Sequence, residues 1–384
     1  MPTSGATSLR SIASACAASI SQTFPGHIPL YVVALAFSVA TLVIAAVYHV
    51  PLPFGASAFF LEMVGLFFVL TAAMATSVQF VSYLAQRRRQ PFSALMGQCA
   101  SEYVLCGERP GNMFHSLVIL TPLMICFTAL KDVIPRLNPF SWDKIFAAWG
   151  RYIAFGHQSW EILQPIVGYP PVTSAISVVY ELWLGVVFCC LFWQAFAKRQ
   201  GPLRTQFLLA FTFNWFICGN LLAVIFSSAG PCFYGQINHG ANPYAGLMAY
   251  LQAANQHWPV LSLRIQQQLW HSYISGDGVV TGISAMPSMH VISSMTMTLL
   301  AWRTSKALGL GFTIFTAIII VGSIHLGWHY AADGIAGIIL AVVFWWLAGE
   351  IARAWVRRQP RSSSNDEELA LAGPGSAGTA AQAL

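Results

Sequence analysis

The sequence predicts an all-α membrane protein, a polytopic bundle of about eight transmembrane helices, and three observations carry that expectation. Only 8% of the 384 residues are Asp, Glu, Lys or Arg, 56% are hydrophobic, and the mean hydropathy is +0.62. A soluble domain carries about 25% charged residues, so water is not the main solvent of this chain. Apolar runs near the ~20 residues needed to cross a bilayer recur along it. Ten-residue segments of alternating hydrophobicity, the mark of an outer-membrane barrel, are absent.

Taken in order, residues 1–28 are rich in Ser and Ala with a single arginine and no clear cleavage site, and read as a short tail. Eight spans are expected near 29–49, 57–84, 112–130, 174–197, 205–228, 287–302, 308–327 and 334–354. Glu62 and Glu181 fall inside spans, where carboxylates serve interhelical hydrogen bonding or a polar path. Between the third and fourth spans, 131–173 interleaves Trp, Tyr and Phe with scattered charges, as helices lying in the membrane interface do; a structured external loop fits equally. Residues 361–384 are small and polar and read as a disordered tail. The division is therefore a tail (1–28), N-terminal spans with external helices (29–204), a catalytic core (205–356) and a cytoplasmic tail (357–384).

The net charge of +6 sits in short clusters beside the apolar runs and reports topology rather than nucleic-acid binding. Arg87 to Arg89 follow the second span, Lys198, Arg199 and Arg204 join the fourth to the fifth, Arg303 and Lys306 join the sixth to the seventh, and Arg353, Arg357 and Arg358 end the eighth. Every second connection is basic, which puts these and both termini in the cytoplasm of a cell membrane, in a bacterium the inner one. Segments 229–286 and 328–333 then face outward. Most of the eight cysteines lie in apolar runs, with no CxxC pattern and no disulfide framework.

Ionisable side chains at membrane depth are costly and usually functional. In "SIHLGWHYAADG", residues 323–334, His325, His329 and Asp333 stand four apart and share one helix face. Asp333 is placed to accept from one nitrogen of His329, fixing the tautomer and raising the basicity of the other; that is the logic of a nucleophile with its orienting group. "GISAMPSMHVISSM", 282–295, opens the sixth span at the same membrane level. Pro287 suits the first helical position, Ser284 is a candidate cap, and His290 falls in the first turn, where free N–H groups and the positive dipole end favour an anion. His290 is placed to supply the proton a leaving oxygen needs. Helical i,i+4 histidines also fit a zinc site, so a metal held by His325, His329 and Asp333 is a competing reading.

Pro-Ser-Met-His at 287–290 and Ser323-x5-His329-x3-Asp333 resemble the second and third signature motifs of the type 2 phosphatidic-acid phosphatase superfamily, over roughly residues 205–350. The resemblance implies that His329 attacks phosphorus to form a phosphohistidine, that Asp333 orients it and that His290 protonates the leaving group, with no metal or other cofactor. It also implies a phosphatase-like core in the last four spans and a phosphorylated lipid as substrate, among membrane lipids as partners and with no nucleic acid. Two departures stand out. Ile324 replaces the arginine that follows the motif serine, and the first motif, Lys-x6-Arg-Pro, is missing; "ERPG" at Arg109 follows Glu102 rather than a lysine and lies on the cytoplasmic side. These departures, with "IPRLNPFSWD", "YPP" and the His-Tyr-x-x-Asp pairing, resemble the inositolphosphotransferase-like branch that includes inositol phosphorylceramide synthase. In that reading phosphate is held by backbone N–H groups near Gly230 and Ser288, with Arg264 the cation of the 229–286 loop. The competing function is a transporter or proton pathway through the His/Asp cluster, against which the lack of an internal repeat weighs. His325, one turn deeper, is expected to pack or support.

Overall fold

The computed structural model describes residues 9–86, 106–275 and 282–358, and among them every regular element is a helix. The basic cluster at 87–89 and the tail expected over 361–384 lie outside the described residues. The long helices are α1 (Leu9–Tyr48), α2 (Gly55–Gln86) and α3 (Arg109–Leu137). After two short helices, α4 (Asp143–Ile153) and α5 (Ser159–Val167), come α6 (Pro170–Ala195) and α7 (Pro202–Ile225). Two further short helices, α8 (Ala245–Asn255) and α9 (Leu261–Ser275), precede α10 (Met289–Thr304), α11 (Lys306–His325) and α12 (Ala331–Arg358).

Helices α1, α2, α3, α6, α7, α11 and α12 are long and apolar enough to cross a membrane, which makes this a multi-pass helical bundle. The expected sixth span is α10, only 16 residues long. At 1.5 Å per residue it covers about 24 Å, short of the ~30 Å hydrocarbon core. It packs on α6, α11 and α12, and its first turn lies within the bundle.

Two boundaries differ from expectation. Helix α1 begins at Leu9, so most of the stretch read as a tail is helical. Alanine is the best helix former, and an Ser/Ala-rich stretch stays helical once it has a surface to pack on. That surface is α3. A Cβ on Gly111 would fall 2.4 Å from the Ser19 carbonyl oxygen, so only glycine admits this approach. At the start of α10, Ser288 rather than Ser284 is the cap, accepting from the Val291 N–H, and Pro287 precedes the helix after a cis peptide bond. A serine hydroxyl at the N-cap satisfies an N–H that proline at N1 leaves alone.

Lipid gives helices no hydrophobic reason to associate, so packing and buried hydrogen bonds hold them. Phe60, Phe67, Phe188, Phe192 and Phe196 form an aromatic ladder between α2 and α6, with Phe67 and Phe192 centroids 5.5 Å apart. At the end of the bundle where α3 begins, Arg204 folds inward. It donates to the carbonyls of Gln194 (2.8 Å) and Ala195 (2.9 Å), to Ser116 Oγ and to His27 Nε2. Of the three basic residues expected to line this connection, Lys198 and Arg199 are exposed and Arg204 is buried. Glu181 accepts from Ser262 Oγ at 2.6 Å, an interhelical bond as anticipated, whereas Glu62 is exposed on α2. At the other end of the bundle, α4 buries Asp143, Phe146, Ala147 and Gly150 and exposes Ile145, Trp149 and Tyr152, the two-faced pattern of an interfacial helix.

Candidate active site

The corner from α11 to α12 and the start of α10 meet at the end opposite Arg204. The Ser288 N–H donates to the Asp333 carbonyl (3.3 Å) and the His329 N–H to the Ser323 carbonyl (2.8 Å), which ties the corner to α10 and closes it on itself. His329 and His290 are thereby side by side, ring centroids 5.7 Å apart. Tyr180 and Trp183, one turn apart on α6, pack on His290 at 4.3 and 4.0 Å between centroids.

The protonation pattern of His329 follows from its neighbours. Its Nδ1 lies 2.8 Å from the Ala285 carbonyl oxygen. A carbonyl only accepts, so Nδ1 carries a hydrogen, and of the two neutral tautomers the contact selects the one with its lone pair on Nε2. The Asp333 carboxylate lies 3.5 Å from the same nitrogen, and its Oδ2 accepts from the Tyr330 N–H at 2.9 Å. The nearer orienting group is therefore a backbone carbonyl, and Asp333 backs it.

Both histidines line a cavity of about 340 Å³ with Lys131, Ser284, Trp328 and Met289. Away from them the lining is apolar: Phe59 of α2, Phe127 of α3, Leu184 and Phe188 of α6, and Trp215 of α7. Trp215 lies in a π-helical stretch, Asn214–Leu222, and such bulges recur at functional sites. The cavity thus joins a few polar groups to a largely apolar wall, as an amphiphile needs.

Lys131 is the one Lys or Arg among the described residues lining this cavity, and it was not singled out from the sequence. A signal was present. Lys131, six residues, then Asn138-Pro139 keeps the lysine and proline of Lys-x6-Arg-Pro with asparagine in place of arginine. Asn138 donates to the Val224 carbonyl at 2.9 Å and fastens α3 to the end of α7. Arg109, in the "ERPG" set aside above, bonds the Phe196 carbonyl at the far end of α3, about 40 Å away along a 29-residue helix.

The expected phosphate contacts fare differently. The Gly230 N–H is taken by Asp143 Oδ1 at 2.9 Å. Ser288 is buried, its hydroxyl capping α10 and its N–H bonded to Asp333. Arg264 is exposed and lines a separate pocket with Gln252 and Asn255. These groups are engaged or remote, because backbone N–H groups inside a bundle need protein partners. His325 turns away from the cavity, its Nε2 on Thr173 Oγ1 at 2.9 Å, and among the described residues no three His, Cys, Asp or Glu side chains are grouped as metal ligands would be. Tyr234 and Tyr244 are buried against Tyr330, while His239, His257 and His271 are exposed.

Asp143, the last residue of the "IPRLNPFSWD" stretch, has no role assigned to it from the sequence. It is fully buried and accepts from the N–H groups of Ala229 (2.9 Å) and Gly230 (2.9 Å) and from the Tyr330 hydroxyl (2.7 Å). Burial raises its carboxyl above the ordinary value, against the pull of those three donors.

A family model of the PAP2 superfamily matches residues 145–347, just over half of the chain. The chain belongs to the PAP2 superfamily. No curated protein and no solved structure matches it. Membership in the PAP2 superfamily points to phosphatase-type chemistry on lipids within the membrane, and the match contains His290, His329 and Asp333.

Proposed function

We propose that this PAP2 superfamily member cleaves or transfers the phosphoryl-containing headgroup of a lipid through a phosphohistidine on His329. The carrying observation is the His329 ring itself, pinned through Nδ1 to the Ala285 carbonyl in a cavity shared with His290 and Lys131. Nε2 attacks phosphorus, the P–O bond to the leaving group breaks, and protonated His290 gives its proton to the departing oxygen. Water or an alcohol then attacks the phosphohistidine, His290 taking up the proton, and Nε2 leaves with its lone pair restored. Asp333 and the Ala285 carbonyl hold the ring. Lys131, with the positive end of α10, holds the phosphate in place of the arginines this chain lacks.

The apolar side chains lining the cavity from α2, α3, α6 and α7 suit acyl chains and favour a lipid over a soluble phosphate ester. The catalytic unit then includes Lys131 and Trp183 as well as the 205–356 core. Basic residues at the end opposite the site, Lys198, Arg199, Arg353, Arg357 and Arg358 among the described residues, support an active site in the outer leaflet of a cell membrane. Ile324 in place of arginine and the His-Tyr-x-x-Asp pairing favour the inositolphosphotransferase-like branch.

Purified protein presented with phosphatidic acid, and separately with phosphatidylinositol plus a lipid alcohol, tests this reading. Headgroup cleavage or transfer is expected to persist in EDTA, because His329 needs no Lewis acid, and to be inhibited by vanadate. Activity lost in EDTA, restored by zinc and indifferent to vanadate would reject it.

A further inference from the structure

We propose that Asp143 is a positioning residue for His329, acting through the backbone of two loop segments; the proposal rests on the reading of His329 as nucleophile. Asp143 stands two residues before the family match begins, on α4, far in sequence from the motifs it serves. No cation pairs with it among the described ion pairs. Its three partners are all donors, two N–H groups and a hydroxyl, an arrangement made for an ionised, acceptor-only carboxylate. A carboxylate buried without a cation is expensive, and a neutral loop contact would satisfy two N–H groups at less cost.

The bonds lead to His329 by two short routes. In the first, Asp143 holds the N–H groups of Ala229 and Gly230. The adjoining Ser228 carbonyl accepts from the Ala285 N–H at 2.8 Å, and the Ala285 carbonyl accepts from His329 Nδ1 at 2.8 Å. In the second, Asp143 Oδ1 takes the Tyr330 hydroxyl at 2.7 Å, and Tyr330 is the neighbour of His329 in the chain. Both sides of the nucleophile, the carbonyl that selects its tautomer and the backbone that carries it, are thus referred to one carboxylate. Asp333, 3.5 Å from Nδ1, does not fix the Ala285 carbonyl. A carboxylate that only stitched α4 to the bundle would stabilise the fold without setting the chemistry of His329.

The test compares full-length wild type with Asp143→Asn and Tyr330→Phe in detergent, with thermal unfolding as the check of folding. Two rates are read: oxygen-18 exchange between inorganic phosphate and water, which needs the phosphohistidine but no particular lipid, and modification of His329 by diethyl pyrocarbonate, normalised to exposed His239. Asp143→Asn places an amide against donors; it is expected to lower the maximal exchange rate about tenfold or more, with half-saturation by phosphate little changed. It should also slow His329 modification by a similar factor, since fewer molecules then present a free Nε2. Tyr330→Phe removes one donor, leaves both N–H bonds, and is expected to shift both rates the same way by less. Folded Asp143→Asn with wild-type exchange and wild-type modification would overturn the proposal. If Asp143→Asn does not fold, Tyr330→Phe decides, and wild-type values there overturn it equally. Absence of exchange in wild type would count against the phosphohistidine, and the modification rates would then decide the role of Asp143 alone.

Discussion

His329 shows how much of a site is legible one residue at a time. Two histidines and an aspartate four residues apart, opposite a Pro-Ser-x-His, pointed to the pair of rings that the structure brings to 5.7 Å. His325, His329 and Asp333 do not share a helix face, however, because residues 326–330 form the corner between α11 and α12. The Ala285 carbonyl that selects the tautomer was not legible, because any residue supplies a carbonyl and only the fold says where it points. The role of Asp143, though it closes the quoted "IPRLNPFSWD" stretch, was hidden for the same reason, since its partners are backbone groups 86 and 87 positions away. Lys131 was hidden by an asparagine at 138, where the motif has arginine. If Lys131 holds the phosphate, Lys131→Met removes a charged contact worth about 1.5 to 3 kcal/mol, roughly ten- to a hundredfold. The loss is expected mainly in KM for a lipid phosphate, and unchanged KM and kcat would remove Lys131 from the site.

At the scale of elements, hydropathy found seven crossing helices because length and apolarity alone decide that question. The sixth, α10, is shorter than the other crossing helices at 16 residues, and its apolar residues pack on neighbouring helices. Hydropathy understated α1, whose Ser/Ala-rich first turns are too weakly apolar to score as a span yet pack well on Gly111. The segment from Ser228 to Phe233 is the connector that sequence could not place. Gly230 adopts φ +102°, and a Cβ there would sit 2.5 Å from the Trp328 carbonyl oxygen. Gly230→Ala is therefore expected to destabilise the protein by about 1 to 3 kcal/mol through backbone strain, and to reduce turnover beyond what the lowered Tm explains. Equal Tm and equal turnover would show that this segment yields freely and does not set the site.

For the whole molecule, the alternation of basic connections and the helix directions agree on two ends. Arg204, Lys198 and Trp355 lie toward one, and His290, His329 and Asp143 toward the other. In a background lacking native cysteines, Gly240→Cys is expected to react with an impermeant maleimide added to intact cells, and Arg199→Cys only after permeabilisation. The reverse pattern would move the site to the cytoplasmic leaflet and change the lipids within its reach.

The central claim is a covalent phosphoryl group on His329. The most direct measurement is alkaline quench of the enzyme during turnover of a lipid carrying phosphorus-32 in its headgroup, followed by peptide mapping, since phosphohistidine survives base and is lost in acid. The account predicts acid-labile label on the peptide containing His329, with none in His329→Ala, which should fold normally and not turn over. Turnover without label in wild type, or near-normal activity in folded His329→Ala, would contradict it.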